Sequence, residues 1–336
     1  MSAASVLPDI WFVLIGVLFT GYSILDGFDL GVGFLFPFLA KDENEKRQLF
    51  RSIGPVWDGN EVWLLAGGGA LFAAFPQAYA TVFSGFYLAL MLVLFSLILR
   101  AVSIEFQAHA GTGRRFWETV FVASSALPSF LFGVALGNVI QGVPLDSRME
   151  YAGNFFTLLR PLPMVFGLLG LAAFALQGST WAALKTTGAL QDKARRAALM
   201  SAGLFGALFL LSFASVWVGL PSALKKAPAW TFAGLVLLAL IALFLAVSKK
   251  KDKRAWIYSS TALLGLWGIV GAIHYPNLVR ASDPARSLTV FNSASSPLTL
   301  KVMLIIALAG MPLVIGYTVF AYRVFKGKVR LDDQGY

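Results

Sequence analysis

The chain has 336 residues, of which 58% are hydrophobic and only 13% are charged, a far more apolar composition than that of soluble domains. It contains no cysteine, which excludes disulfides, iron–sulfur clusters, thiolate-ligated haem and cysteine-rich zinc sites. The formal net charge of +10 comes from basic residues scattered among short connections between apolar segments, so it indicates membrane topology rather than nucleic-acid binding.

The apolar segments predict an all-α integral membrane protein. Because the start, "MSAASVLPDIW", lacks the positive region of a signal peptide, we expect the first apolar segment to be retained. A helix needs about 20 apolar residues to cross the bilayer core. Nine segments qualify, at about 10–39, 55–75, 79–107, 116–141, 160–183, 197–220, 229–248, 256–276 and 298–325.

The basic residues predict the orientation of these spans. An odd number of spans places the two termini on opposite sides. Most Lys and Arg residues lie after the first, third, fifth and seventh spans and in the C-terminal tail. The positive-inside rule therefore predicts a cytoplasmic C-terminus and an outer N-terminus.

No connection is long enough to form a soluble domain, because the largest, near 276–297, is a loop rich in Pro, Ser and Asn. Residues 1–336 are therefore predicted to form one polytopic membrane domain. A natural grouping is two four-helix bundles, at about 10–141 and 160–276, with a ninth peripheral helix at about 298–325.

Several charged residues lie within or beside the first three spans. They are Asp26 and Asp29 in "LDGFDLG", Asp58 and Glu61 in "GPVWDGNEVWLL", and Arg100 and Glu105 in "LILRAVSIEF". At about 1.5 Å of rise per residue, Asp26 lies roughly 24 Å along the first span and Arg100 roughly 30 Å along the third. The second span starts from the cytoplasm, so all of these charges are expected at the same level on the cytoplasmic side.

The spacing of the acids predicts a shared direction. Asp26 with Asp29, and Asp58 with Glu61, are (i, i+3) pairs, and each pair lies on one helix face. An ionised acid at membrane depth costs about 2.5–3.5 kcal/mol. These acids must therefore be protonated, paired with Arg100, or hydrated. In each case they would form a chain of titratable groups connected to the cytoplasm. Our hypothesis is that they form the mouth of an inward proton path.

Structural explanations stand beside this hypothesis. Acids in the first turns of a helix interact with its positive end and cap free N–H groups, which would explain Asp58 and Glu61. A salt bridge with Arg100 would explain Asp26 and Asp29. Arg100 and Glu105 could also snorkel to the interface. Glycines in "DGFDLGVG" and "LLAGGGALF" are expected to let helices pack closely.

Aromatic residues and histidines give weaker signals. Trp57 and Trp63 flank the acids and are typical of an interfacial belt. The two histidines, His109 and His274, are predicted on opposite sides of the membrane, so they cannot ligate one metal. An exposed or interfacial histidine is usually structural, although either could serve as a single haem ligand.

The stretches "LDGFDLGVG", "GPVWDGNEVWLLAGGGALFAAFP" and "FSGFYLALMLVLFSLILRAVSIEF" closely resemble subunit II of the cytochrome bd-type quinol oxidases of bacterial respiratory chains. The resemblance covers essentially the full length, including "YPNLV" after the eighth span and "SLTVFNSASSPLTL" before the ninth.

The resemblance implies a complex in the bacterial cytoplasmic (inner) membrane that oxidises quinol and reduces O2 to water. The partner, subunit I, is implied to carry two b-type haems and one d-type haem, and this chain to ligate none. Two histidines without cysteine agree with that division, because they cannot supply the axial ligands of three haems. Membrane lipid, a bound quinone and a small single-span accessory subunit are compatible with the family, and nucleic acid is not a partner.

Within this chain, the resemblance implies a proton path through Asp58, with Trp57, the pair Asp26 and Asp29, and Arg100 nearby. Many relatives carry an uncharged residue where Glu61 stands, so Glu61 is expected only to tune the field on Asp58.

Two other functions remain open from the residues alone. A proton- or cation-coupled secondary transporter also uses acids on glycine-containing membrane helices, although its site would be expected near the midplane. A purely structural scaffold would use its acids only as helix caps.

Overall fold

The computed structural model describes residues 3–107, 111–220 and 223–329 of the chain, and this part is almost entirely helical. The helices are α1 (Ala3–Leu39), α2 (Glu43–Ile53), α3 (Trp57–Ala74), α4 (Pro76–Gly85), α5 (Tyr87–Phe106), α6 (Arg114–Gln141), α7 (Pro161–Lys185), α8 (Gly188–Gly219), α9 (Ala227–Ser248), α10 (Asp252–His274) and α11 (Pro297–Val324). Two short strands, β1 (Asn277–Val279) and β2 (Leu288–Thr289), pair antiparallel. Single 3-10 turns lie at Gly111–Gly113, Phe155–Leu158, Ala223–Lys225 and Pro284–Arg286.

Eight helices in the described ranges are long and apolar enough to cross a membrane, namely α1, α5, α6, α7, α8, α9, α10 and α11. Helix α3, the second predicted span, is not among them, because its 18 residues include Asp58, Asn60 and Glu61. The all-helical fold is thus confirmed. The count of nine spans and their orientation stay predictions.

The third predicted span, 79–107, is wrong as a single helix. The helical conformation is interrupted at Phe75 and again at Phe86, and α4 lies between these two interruptions. Pro76 is the first residue of α4, and a proline there ends the preceding helix because it has no N–H to donate. The membrane-spanning part therefore begins at Tyr87.

Two connections are more ordered than the sequence suggests. The first, after α1, contains the amphipathic helix α2. Asp42 caps α2 by accepting a hydrogen bond from the Glu45 N–H at 2.9 Å. The second, near 276–297, was expected to be a loop, but it forms the β1–β2 pair, with Val279 and Leu288 buried. In both cases apolar side chains at regular spacing pack onto the ends of the bundle.

Helix α7 lies at the centre of the bundle and α11 at its edge. In the most apolar stretch of α7, 67% of the residues are buried, against 6% in α11. Helix α7 packs against α1, α6, α8 and α10, so the two predicted four-helix groups share a continuous interface. Grouping into two bundles stays a prediction.

The glycine-rich stretch of α3 differs from the expectation of close packing. Only Gly67 approaches another helix, through the ring of Phe19. A Cβ added at Gly68 or Gly69 would meet no atom of another described helix within 4 Å. This face of α3 therefore packs on nothing within the described part of the chain.

Candidate functional site

Helix α1 holds two aspartates inside the bundle because another of its faces packs tightly against α7. A Cβ on Gly31 would lie 1.8 Å from the carbonyl oxygen of Phe174, and one on Gly178 would lie 2.3 Å from the carbonyl carbon of Gly31. Only glycine permits this approach of two backbones. The contact fixes the rotation of α1, and Asp26 and Asp29 are completely buried as a result.

Arg100 joins three helices through one guanidinium nitrogen. Its Nη2 donates to Oδ1 of Asp26 on α1 at 2.6 Å, and it also donates to Oε1 of Glu61 on α3. The Arg100 and Asp26 side chains are 0% exposed, whereas that of Glu61 is 22% exposed. Glu61 therefore connects a buried ion pair with the surface of the chain.

A second set of contacts connects Asp29 with α11. Asn60 donates from Nδ2 to Oδ2 of Asp29 at 2.7 Å, and its Oδ1 accepts from the Tyr322 hydroxyl at 3.0 Å. A neutral tyrosine hydroxyl is the donor in this contact, so it fixes which end of the Asn60 amide faces Asp29. Asp29 thus takes a hydrogen bond from an amide and none from Arg100.

Several buried polar atoms of this site have no hydrogen-bond partner among the described residues. They are Oδ2 of Asp26, Oδ1 of Asp29, Nε and Nη1 of Arg100, and the hydroxyl of Tyr22. Tyr22 and Asp26 are separated by one helical turn and lie on the same face of α1. Buried polar groups in proteins are normally paired with protein or with water. The arrangement has more acids than bases, and its remaining donors and acceptors are suited to bound water.

The other predicted site residues lie farther out. Asp58 is exposed, one turn before Glu61 on the same face of α3. Trp57 is half-buried and packs against the apolar cluster at that end of the bundle. Glu105 is exposed near the end of α5, and five residues place it about 140° around the helix from Arg100. The structure thus brings Asp26, Glu61 and Arg100 into contact but leaves Glu105 outside the cluster.

Sequence reasoning missed Asn60 and Tyr322. Asn60 stands beside Glu61 in "WDGNEV", but its role depends on how α3 is rotated. Tyr322 is far away in sequence, and no local pattern marks it. A different signal marks the inward face of α5, where polar residues recur every three or four positions up to the residue after the helix: Ser96, Arg100, Ser103 and Gln107, all of them buried.

The described residues contain no clustered set of metal ligands. Within 3–107, 111–220 and 223–329, no group of three or more His, Cys, Asp or Glu could hold a metal ion. His109 lies outside the described residues. His274, expected at the membrane interface, is instead buried at the end of α10. Its Nε2 lies 2.9 Å from the carbonyl oxygen of Leu278. That contact occupies one of the two ring nitrogens.

Comparison with known proteins gives consistent results. Residues 7–325 match the family described as cytochrome bd terminal oxidase subunit II. The chain is 34% identical to cytochrome bd-I ubiquinol oxidase subunit 2 of Escherichia coli strain K12, with 98% of this chain and 96% of that protein covered. It is 35% identical to cytochrome bd ubiquinol oxidase subunit 2 of Bacillus subtilis strain 168, with 96% and 97% covered.

The fold also has a solved counterpart. A chain of the bd oxidase from Geobacillus thermodenitrificans superposes with a TM-score of 0.80 at 18% identity, over 95% of this chain and 98% of that one. At this identity the match supports the fold alone.

Proposed function

The chain belongs to the cytochrome bd terminal oxidase subunit II family, and is therefore a subunit of a quinol oxidase complex; on this premise we propose that it supports the haem subunit and supplies it with protons. In this proposal the partner, subunit I, carries two b-type haems and one d-type haem. The complex oxidises quinol and reduces O2 to water. The protein is a multi-pass membrane protein, and we place it in the bacterial inner membrane.

The proposed path begins at Asp58, which is the exposed acid of the group. Glu61 follows one turn deeper on the same helix face and contacts Arg100. Arg100 in turn contacts the fully buried Asp26. Titratable groups therefore follow one another from the surface of α3 to the interior of the bundle. This succession is the observation on which the proposal depends.

Water would complete the path between the acids. The proposed path has four carboxyl groups, and Arg100 pairs with two of them, Asp26 and Glu61. The unpartnered oxygens of Asp26 and Asp29 and the unpartnered nitrogens of Arg100 would bind that water. A carboxylate cannot remain unpaired and dry at this depth without a cost of several kcal/mol. The same groups that require water would thus hold it in position for proton transfer.

Replacing Asp58 with Asn in the intact complex tests this proposal. The variant keeps the size of the side chain but cannot exchange a proton. Loss of a proton-transfer group typically costs about 10²–10⁴-fold in rate, so O2 consumption with excess quinol should fall in that range. Haem content and assembly should not change, because Asp58 is exposed and outside the core.

Asp192→Asn is the matched control. It also removes one carboxylate, but its side chain is 61% exposed on α8 and pairs with Arg195 one turn away. Its O2 consumption should equal that of the wild type. Wild-type turnover in Asp58→Asn would leave only a scaffold role for the acids. The family assignment argues against the transporter alternative.

A further inference from the structure

A second polar site lies at the end of the bundle that the positive-inside rule assigns to the cytoplasm. A cavity of about 350 Å³ opens where α2, α7 and α11 end. Small-molecule sites in proteins have volumes of roughly 300–1,000 Å³, so this cavity can hold a small polar group. Four basic residues line it, Arg51, Lys185, Lys326 and Lys328, and none of its lining residues within the described ranges is acidic.

The charges of Lys185 and Lys328 in this cavity are poorly compensated. Lys185 donates from Nζ to the carbonyl oxygen of Phe325 at 2.5 Å, and Lys328 donates to that of Ala183 at 2.9 Å. Both acceptors are neutral carbonyls at helix ends, which attract a cation only modestly. An ammonium has three donors, so these contacts leave N–H groups available to a ligand.

The nearest acid does not neutralise the two lysines. Asp252 lies 4.0 Å from Nζ of Lys328, but both of its oxygens accept hydrogen bonds from Arg195 at 2.8 Å. Burial lowers the pKa of the Lys328 ammonium, and the attraction of Asp252, which raises the pKa, is too weak to offset the effect of burial. An anion in the cavity would supply the missing negative charge.

The remaining wall of the cavity is apolar and is held in place. Val56, Trp181, Val324 and Phe325 contribute carbon surface beside the basic groups. The backbone N–H of Val329 donates to the carbonyl oxygen of Lys185 at 2.8 Å, which anchors the chain after α11 against the end of α7. The site thus combines cationic donors with an apolar wall at the ends of membrane helices, where lipid headgroups lie.

We propose that this cavity binds the phosphate headgroup of an anionic phospholipid. The phosphate oxygens would accept hydrogen bonds from Lys185 and Lys328, and the glycerol end of the acyl chains would lie against the apolar wall. Basic pockets between membrane helices on the cytoplasmic side bind anionic headgroups in this way. The bound lipid would tie α7 to α11, and α11 has few other contacts with the bundle.

The test uses the intact oxidase complex, depleted of lipid in neutral detergent. Calorimetric titration with short-chain (dioctanoyl) phosphatidylglycerol should give saturable binding at one site. Dioctanoyl phosphatidylcholine, which has no net charge, should bind at least tenfold more weakly. Inorganic phosphate is the third probe, because it carries the charge without the apolar part. Weak competition by phosphate is expected, since it cannot use the apolar wall.

Variants locate the binding. The double variant Lys185→Gln/Lys328→Gln should weaken phosphatidylglycerol binding at least tenfold. The control Lys249→Gln/Lys253→Gln removes the same charge from exposed positions on the same side and should change binding less than twofold. The Lys328 side chain is 38% exposed, so its replacement should disturb assembly less. If the double variant fails to assemble, the single variant Lys328→Gln should still weaken phosphatidylglycerol binding at least threefold.

Three results would overturn the proposal. One is the absence of saturable binding of phosphatidylglycerol. Another is equal weakening in the control, which would mean diffuse surface attraction. The third is full competition by inorganic phosphate at equal concentration, which would assign the cavity to free phosphate.

Discussion

Breaking the buried ion pair in a double-mutant cycle is the sharpest test of the site. In Arg100→Gln, the Asp26 carboxylate loses its partner while it remains 0% exposed, and Glu61 loses its contact with the same nitrogen. Removing one partner of a buried pair typically costs about 3–5 kcal/mol, because an uncompensated charge is left behind. We expect the free energy of unfolding to fall by about this amount.

The second arm of the cycle removes the orphaned charge. In Arg100→Gln/Asp26→Asn, both groups are neutral and can hydrogen-bond to each other. Much of the lost stability should return, with a coupling energy of about 1–3 kcal/mol between the two positions. In the measurement, sodium dodecyl sulfate is added stepwise to the purified complex in a mild detergent, and unfolding is monitored by circular dichroism.

Arg115→Gln is the control for loss of one arginine. Arg115 is exposed at the start of α6, and its replacement should change the free energy of unfolding by less than about 0.5 kcal/mol. The account of a charged, paired cluster would be refuted if Arg100→Gln were as stable as the wild type. It would also be refuted if the effects of the two substitutions on the free energy of unfolding simply added, so that the double variant were less stable than Arg100→Gln.

Two further predictions concern the supports of the site. Tyr322→Phe leaves Oδ1 of Asn60 without its donor and should cost about 1 kcal/mol of stability and lower O2 consumption, whereas unchanged turnover would mean that Asn60 needs no orientation. Gly31→Ala places a Cβ 1.8 Å from the carbonyl oxygen of Phe174 and should cost at least about 1–3 kcal/mol in the same unfolding assay. Gly203→Ala, where a Cβ would meet no other described helix within 4 Å, should instead be neutral or stabilising, and equal losses at both glycines would contradict this account of α1–α7 packing.

The sequence by itself determined the class of fold and the level of the charges. Hydropathy is a local sum over about 20 residues, so the C-terminal end of α1 and both ends of α6, α7, α9, α10 and α11 lie close to their predicted positions. The fixed rise of a helix likewise placed Arg100 and Asp26 at one depth, and the structure joins them by a 2.6 Å contact. The second and third predicted spans depart from this pattern, at the polar start of α3 and at the interruption at Phe86 between α4 and α5.

Only the tertiary structure decided which of these charges meet. Glu105 and Glu61 are both acids near Arg100 in depth, but one is turned outward and the other contacts the guanidinium. Asn60 and Tyr322, 262 positions apart, became partners without any shared sequence signal. Helix rotation makes this choice, and rotation is set by contacts such as that of Gly31 with Phe174, where two backbones from distant parts of the chain approach closely. Depth along a helix follows from counting residues, whereas direction around it depends on which neighbour the helix packs against.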